Sequence, residues 1–149
     1  MERIYETYLK IVKNACTDSH RTESVNPADL PTLAELAQNH CTVPYVLPYL
    51  KSVSNYPFLK SQVKNMMLNY YQIEHFTLLT VSLLRDHNID CYLLKGLSLA
   101  ACYPVPEYRK LGDLDLYLAD PADLSNAQTV LESSGYVPEE ELNDHHLVY

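Results

Sequence analysis

No apolar run in this chain approaches the roughly 18 residues needed to cross a bilayer, so no membrane-spanning helix is expected. The first residues, Met1-Glu2-Arg3-Ile4-Tyr5, lack the basic-then-apolar layout of a secretory signal. Four cysteines, at 16, 41, 91 and 102, form no C-x-x-C pair and match no zinc-ligand spacing. They read as reduced thiols of a cytoplasmic protein, with Cys91 and Cys102 expected in the core. Only three glycines and no low-complexity stretch leave no room for a collagen-like chain. Repeats of 20–50 residues are absent as well. What remains is 149 residues with 47% hydrophobic and 20% charged residues, the composition of a folded domain with a real core.

Basic residues are scarce where acidic ones gather. Residues 1–85 carry 8 Lys/Arg against 7 Asp/Glu, whereas residues 86–149 carry 3 against 12. An acidic half of this kind disfavours a long nucleic acid as partner, because it repels the phosphate backbone unless divalent cations intervene. Glu139-Glu140-Glu141 reads as a solubilising surface, and other carboxylates are candidates for holding metal.

The first half reads as helices. Ile4, Tyr8, Ile11 and Val12 share one helical face. Residues 17–31 are polar with two prolines and read as a loop. Leu33, Leu36 and Ala37 continue the helical spacing, with Thr32 as expected N-cap and Glu35 completing a capping box. Residues 43–50, with Pro44 and Pro48, predict a short irregular helix. No Gly or Pro interrupts residues 58–87, the strongest helix of the chain. Leu59, Val63, Met66, Tyr70 and Ile73 line its stripe, continued by Phe76, Leu79 and Leu83. Met66-Met67 and Tyr70-Tyr71 read as core at this spacing.

The period changes at Asn88. Cys91-Tyr92-Leu93-Leu94 suits a buried strand, Leu97 to Cys102 a small helix, and Leu111 to Leu118 a strictly alternating strand. Asp120-Pro121 reads as N-cap and first position of a helix with Leu124, Ala127, Val130 and Leu131 on its buried face, stopped by Gly135. Tyr136-Val137 opens a further extended segment, and residues 146–149 read as a last strand. The order predicts an α+β fold: a helical region over 1–87, packed on a mixed β-sheet with flanking helices over 88–149.

Asp113-Leu114-Asp115 is the feature that carries chemistry. Residues two apart on a strand share a face and lie roughly 6.5–7 Å apart, so both carboxylates can converge on one divalent ion. Two such carboxylates repel each other, and a metal cation or a Lys/Arg side chain is the usual remedy. Hard oxygen ligands favour Mg²⁺ or Mn²⁺. The plain alternative is a pair of solvated surface carboxylates. Upstream, Lys95-Gly96-Leu97-Ser98 stands between a strand and a short helix. A glycine there lets backbone approach a phosphate, and Ser98 has a hydroxyl to donate. Arg109 and Lys110 precede the acidic strand and can neutralise a triphosphate. Taken singly, Gly96 is a turn residue and Lys95 a solvated charge; their order with the aspartates is what points to a site. His145-His146 cannot both face one ion on a strand, and His20, His40, His75 and His87 are scattered.

Leu93-Leu94-Lys95-Gly96-Leu97-Ser98-Leu99-Ala100, Tyr103-Pro104, Arg109, Gly112-Asp113-Leu114-Asp115-Leu116 and Ser134-Gly135-Tyr136 together resemble the bacterial uncharacterised nucleotidyltransferase family, of the DNA polymerase beta-like nucleotidyltransferase superfamily. Leu33-Ala34-Glu35-Leu36-Ala37-Gln38-Asn39-His40 is similar to that family's amino-terminal helix. The resemblance implies a nucleotidyltransferase-like core, Mg²⁺ on Asp113 and Asp115 as catalytic carboxylates, and nucleotide phosphates on Gly96 and Ser98, assisted by Lys95 and Arg109. It implies an NTP such as ATP as one partner and an acceptor of unknown identity as the other. Two departures stand out. Leu97 follows Gly96 where the superfamily has Ser or Gly, and no convincing third carboxylate appears among Glu139, Glu140, Glu141 and Asp144. Since family members usually continue past such a point, the chain is expected to be a fragment lacking that carboxylate and the acceptor-binding part, with catalysis impaired. The alternatives are a non-catalytic binding module of the same fold and an Asp-x-Asp glycosyltransferase, for which the helical first half supplies no nucleotide-binding unit.

Overall fold

The computed structural model describes residues 2–17, 22–138 and 149. Its elements, in order, are helices α1 (Glu2–Cys16), α2 (Leu30–Asn39), α3 (Val43–Val46) and α4 (Tyr56–Asp86), strand β1 (Cys91–Leu93), helix α5 (Leu97–Ala100), strand β2 (Leu116–Leu118) and helix α6 (Leu124–Ser133). The fold is α+β, mostly helical with a small antiparallel sheet. Two compact units divide it: Met1–Gln72 with Leu99–Gly112, and Ile73–Ser98 with Asp113–Tyr149.

In the first unit the helical stripes meet in one core. Ile4, Tyr8 and Ile11 of α1 join Leu33, Ala34, Leu36 and Ala37 of α2, Val43 and Val46 of α3, Leu50, and Leu59 and Val63 of α4. Leu33, Leu50 and Leu59 are fully buried. Tyr8 keeps its ring in this core because its hydroxyl pairs with Thr42 Oγ1 at 2.8 Å. The start of α2 differs from expectation. A 3-10 turn over Pro27–Asp29, capped by Asn26 Oδ1 accepting the Ala28 N–H (3.0 Å), runs straight into a helix beginning at Leu30. Thr32 therefore lies inside the helix rather than at its cap, and the capping box with Glu35 does not form. Pro31 is tolerated in the first turn because no N–H is needed there.

Three helices end in the same way. At Cys41 (φ +55°), Asn88 (φ +59°) and Gly135 (φ +93°) the chain turns left-handed. The residue that follows then donates to a carbonyl five back: Thr42 to Ala37, Ile89 to Leu84, and Tyr136 to Leu131. This is the Schellman closure, which satisfies carbonyls orphaned at a helix end. Asn88 and Gly135 are the residue types that adopt this conformation readily, and Ile89 packs against Leu84 as the motif favours.

The second unit has its own core of Leu84, Ile89, Ala127, Val130 and Leu131, with Cys91, Leu116 and Leu118 packed against it from the sheet. Asp120 caps the last helical region as expected, its Oδ1 accepting the Ala122 N–H at 2.8 Å, with Pro121 first in line. The second half of α4 departs from the expected stripe. Phe76 and Leu79 are exposed, and Thr77 and Thr80 are buried in their place. Each threonine donates its hydroxyl to the carbonyl four residues back, at 2.7 and 2.9 Å, and so enters the interior without an unmet donor. Thr80 also meets the Tyr136 hydroxyl at 2.8 Å. Cys102, expected in the core, is exposed, because α5 ends at Ala100 and the chain turns outward after it. Cys91 is half-buried, and all four thiols are free.

The alternating strand expected over 111–118 forms a ladder only at Leu116–Leu118. Leu111 is buried in the first unit, where Asn69 Nδ2 donates to its carbonyl at 2.9 Å. After α6, residues 136–138 are irregular. The last expected strand, Glu139, Glu140, Glu141, Asp144, His145 and His146 lie outside the described residues, as does His20.

Candidate functional site

Strands β1 and β2 pair antiparallel, with Cys91 opposite Leu118, Tyr92 opposite Tyr117 and Leu93 opposite Leu116. One more bond, from the Leu94 N–H to the Asp115 carbonyl at 3.0 Å, carries the pairing past the ladder. Asp115 is thereby held by backbone although it lies outside the strand itself. Leu116 and Leu118 anchor the opposite face in the core. Asp115 and Tyr117 then share the outward face by simple alternation.

Both carboxylates turn to one ammonium. Lys95 Nζ lies 3.1 Å from Asp115 Oδ2 and 3.8 Å from Asp113 Oδ2. The counterion of the pair in this structure is a cation of the chain itself. Asp113 is open to solvent, with 76% of its side chain exposed, while Asp115 retains 31%. Asp115 Oδ2 is buried and accepts no hydrogen bond from the described residues. The ammonium approaches it as a charge, without hydrogen-bond alignment, and an acceptor lone pair is left over.

The glycine bend stands beside this pair. Gly96 has φ +52°, and a Cβ built there would lie 3.6 Å from the Asp113 carbonyl oxygen. Left-handed backbone explains why glycine occupies the position. Lys95 opens the turn: its carbonyl accepts both the Ser98 N–H at 3.0 Å and the Ser98 hydroxyl at 2.8 Å. Ser98 therefore commits its hydroxyl proton to the turn. Arg109 belongs to the first unit, where it follows the 3-10 turn Pro106–Tyr108 and donates to the Lys110 carbonyl at 3.3 Å.

Sequence reasoning named Lys95 for a phosphate and did not foresee it between the two aspartates. The signal was there, since a like-charged pair on a strand calls for a counterion and Lys95 is the basic residue at the nearby bend. Among the described residues no three acidic, histidine or cysteine side chains gather to hold a metal ion. Asp113 and Asp115 are two carboxylates, and such a pair could hold Mg²⁺, which is commonly bound by one or two carboxylates together with substrate phosphates. Two cavities, of ≈470 and ≈400 Å³, open in the first unit; the second is lined by Gln62, Asn65, Asn69 and Lys110 among others. Neither includes Lys95, Gly96, Ser98, Asp113 or Asp115, all of which belong to the second unit.

No curated protein and no solved structure matches the chain. Residues 26–149 match the sequence model of a family described as uncharacterised nucleotidyltransferase, and that stretch takes in α2, the long helix α4, the Gly96 bend and the aspartate pair. The chain belongs to this nucleotidyltransferase family.

Proposed function

We propose that the chain acts in metal-dependent nucleotidyl transfer from an NTP, with ATP as donor and Asp113 and Asp115 as the ligands of Mg²⁺ or Mn²⁺. In this reaction an acceptor oxygen bonds to the α-phosphorus, the α–β bridging P–O bond breaks, pyrophosphate leaves, and the acceptor's proton passes to water. Bound at the carboxylates, the metal ion supplies charge neutralisation for the phosphates and the leaving group. The observation that carries the reading is the convergence of both carboxylates on one cation at the Gly96 bend.

The chain's own residues divide the work. Asp115, fastened by the Leu94 N–H, provides a fixed acceptor, and the open Asp113 provides an adaptable one. Lys95 is 60% exposed on a flexible stem, so its ammonium can swing from the carboxylates to an incoming phosphate. Gly96 lets phosphate approach the backbone, and Ser98 would release its hydroxyl from the Lys95 carbonyl to donate to that phosphate.

A second reading is a binding module of the same fold without catalysis. What favours it is Lys95 itself, which already neutralises the pair that a metal ion would neutralise.

Calorimetry of ATP binding with and without Mg²⁺, on the wild-type chain and on Asp113→Asn/Asp115→Asn, tests the proposal. Mg²⁺-dependent binding that falls at least about tenfold in the double variant supports it. Equal binding by both proteins, or preference for a nucleotide-sugar over ATP, overturns it. Nucleotide binding without release of pyrophosphate when acceptors are supplied selects the second reading.

A further inference from the structure

The outward face of the sheet carries aromatics as well as acids. Tyr117 lies two residues beyond Asp115, about 7 Å along the chain on the same side. Tyr92 stands directly opposite it on β1. Both are well exposed, at 54% and 62%, while Cys91, Leu116 and Leu118 behind them pack against the core. Leu94, paired with Asp115, is exposed too and lengthens the strip. A half-buried sheet normally turns polar residues outward. Here the outward positions nearest the carboxylates are two large rings, and neither packs against another aromatic side chain among the described residues.

We infer that Tyr92 and Tyr117 form a stacking platform for the base of the nucleotide whose phosphates lie at Asp113, Asp115, Lys95 and Gly96. The inference rests on the nucleotide reading of that site and deepens it by naming where the base goes. The separation from Asp115 to Tyr117 is one that a ribose spans between phosphate and base. Directly opposed strand positions root the two side chains side by side on one face of the sheet. Stacking on an aromatic face tolerates any base, since every base has a π-face. Stacking by itself therefore discriminates weakly among bases, with purines such as the adenine of ATP favoured by their larger area.

The test is calorimetry on the full chain with three probes: ATP with Mg²⁺, tripolyphosphate with Mg²⁺, and adenosine alone. Tyr92→Ala and Tyr117→Ala are each expected to weaken ATP and adenosine by about fivefold or more, the low end of what one stacked base contributes, and to leave tripolyphosphate unchanged. Tyr92→Phe and Tyr117→Phe, which keep the ring, are expected to bind ATP within about twofold of wild type. Alanine variants that bind ATP and adenosine as the wild type does overturn the platform, as does an equal loss of tripolyphosphate. The two readings fail separately. If Asp113→Asn/Asp115→Asn keeps ATP binding while the tyrosine variants lose it, the metal reading falls and the platform stands. If the wild type binds neither ATP nor adenosine, both fall.

Discussion

Lys95 Nζ sits 3.1 Å from Asp115 Oδ2, at the turn that follows β1, and so bridges the end of one strand to the approach of the next. The ammonium relieves a repulsion that the sequence builds in by placing two carboxylates on one face. It also means that a metal ion entering the site competes with a side chain.

That competition predicts opposite effects from one substitution. Lys95→Met is expected to tighten Mg²⁺ binding in the absence of nucleotide and to weaken binding of ATP, as followed by Mg²⁺-induced and ATP-induced thermal shifts. Stability itself is expected to change by less than about 1 kcal/mol, because the pair is largely solvent-exposed and screened. Loss of Mg²⁺ binding in this variant would show that the ammonium orders the carboxylates instead of competing for them.

Gly96→Ala places a Cβ in ordinary contact with the Asp113 carbonyl oxygen, so its cost comes from the backbone at φ +52°. Urea denaturation is expected to show a loss of about 1–2 kcal/mol.

Cys41 pays the same conformational cost in the native chain, at φ +55° in the Schellman closure of α2. Cys41→Gly is expected to stabilise the protein by about 1 kcal/mol, since glycine is the residue that this position favours. A lower urea midpoint would mean that the half-buried thiol contributes more by packing than the backbone loses.

Thr80 is buried and joins the Phe76 carbonyl to the Tyr136 hydroxyl. Thr80→Val keeps the shape and removes that partner, leaving the Tyr136 hydroxyl short of a bond, for an expected loss of about 1–3 kcal/mol. Phe76→Ser, on the exposed side of the same turn, is expected to cost less.

The Tyr71 hydroxyl donates to Glu107 Oε1 at 2.6 Å and, with a backbone hydrogen bond, holds that carboxyl below its usual range. A depressed carboxylate stabilises the fold above its ordinary titration range, and the contribution fades as pH falls through the lowered value. Tyr71→Phe is expected to move the Glu107 titration upward in a carboxyl NMR experiment, with little change in stability at neutral pH.

Much of this architecture was legible in the residues. The 3.6-residue stripe of Leu59, Val63 and Tyr70, the change of period at Asn88, the Asp120-Pro121 start and the Gly135 stop are local signals, and each corresponds to an observed element. Other features depended on what lies across from a side chain. Thr80 is inside because Tyr136 comes back over α4 to meet it. Cys102 is outside because the chain turns after Ala100.

For the aspartate pair, alternation along 111–118 predicted one shared face, and both carboxylates do reach one ammonium although residues 113–115 lie outside the strand. The tertiary structure decided that Lys95 supplies their counterion and that Leu111 is buried in the first unit, with the ladder confined to Leu116–Leu118. The physical reason is range. Periodicity, capping and turn chemistry act over a few residues and are written in order along the chain, whereas the partner of a charge or an apolar face is set by which distant segments pack beside it.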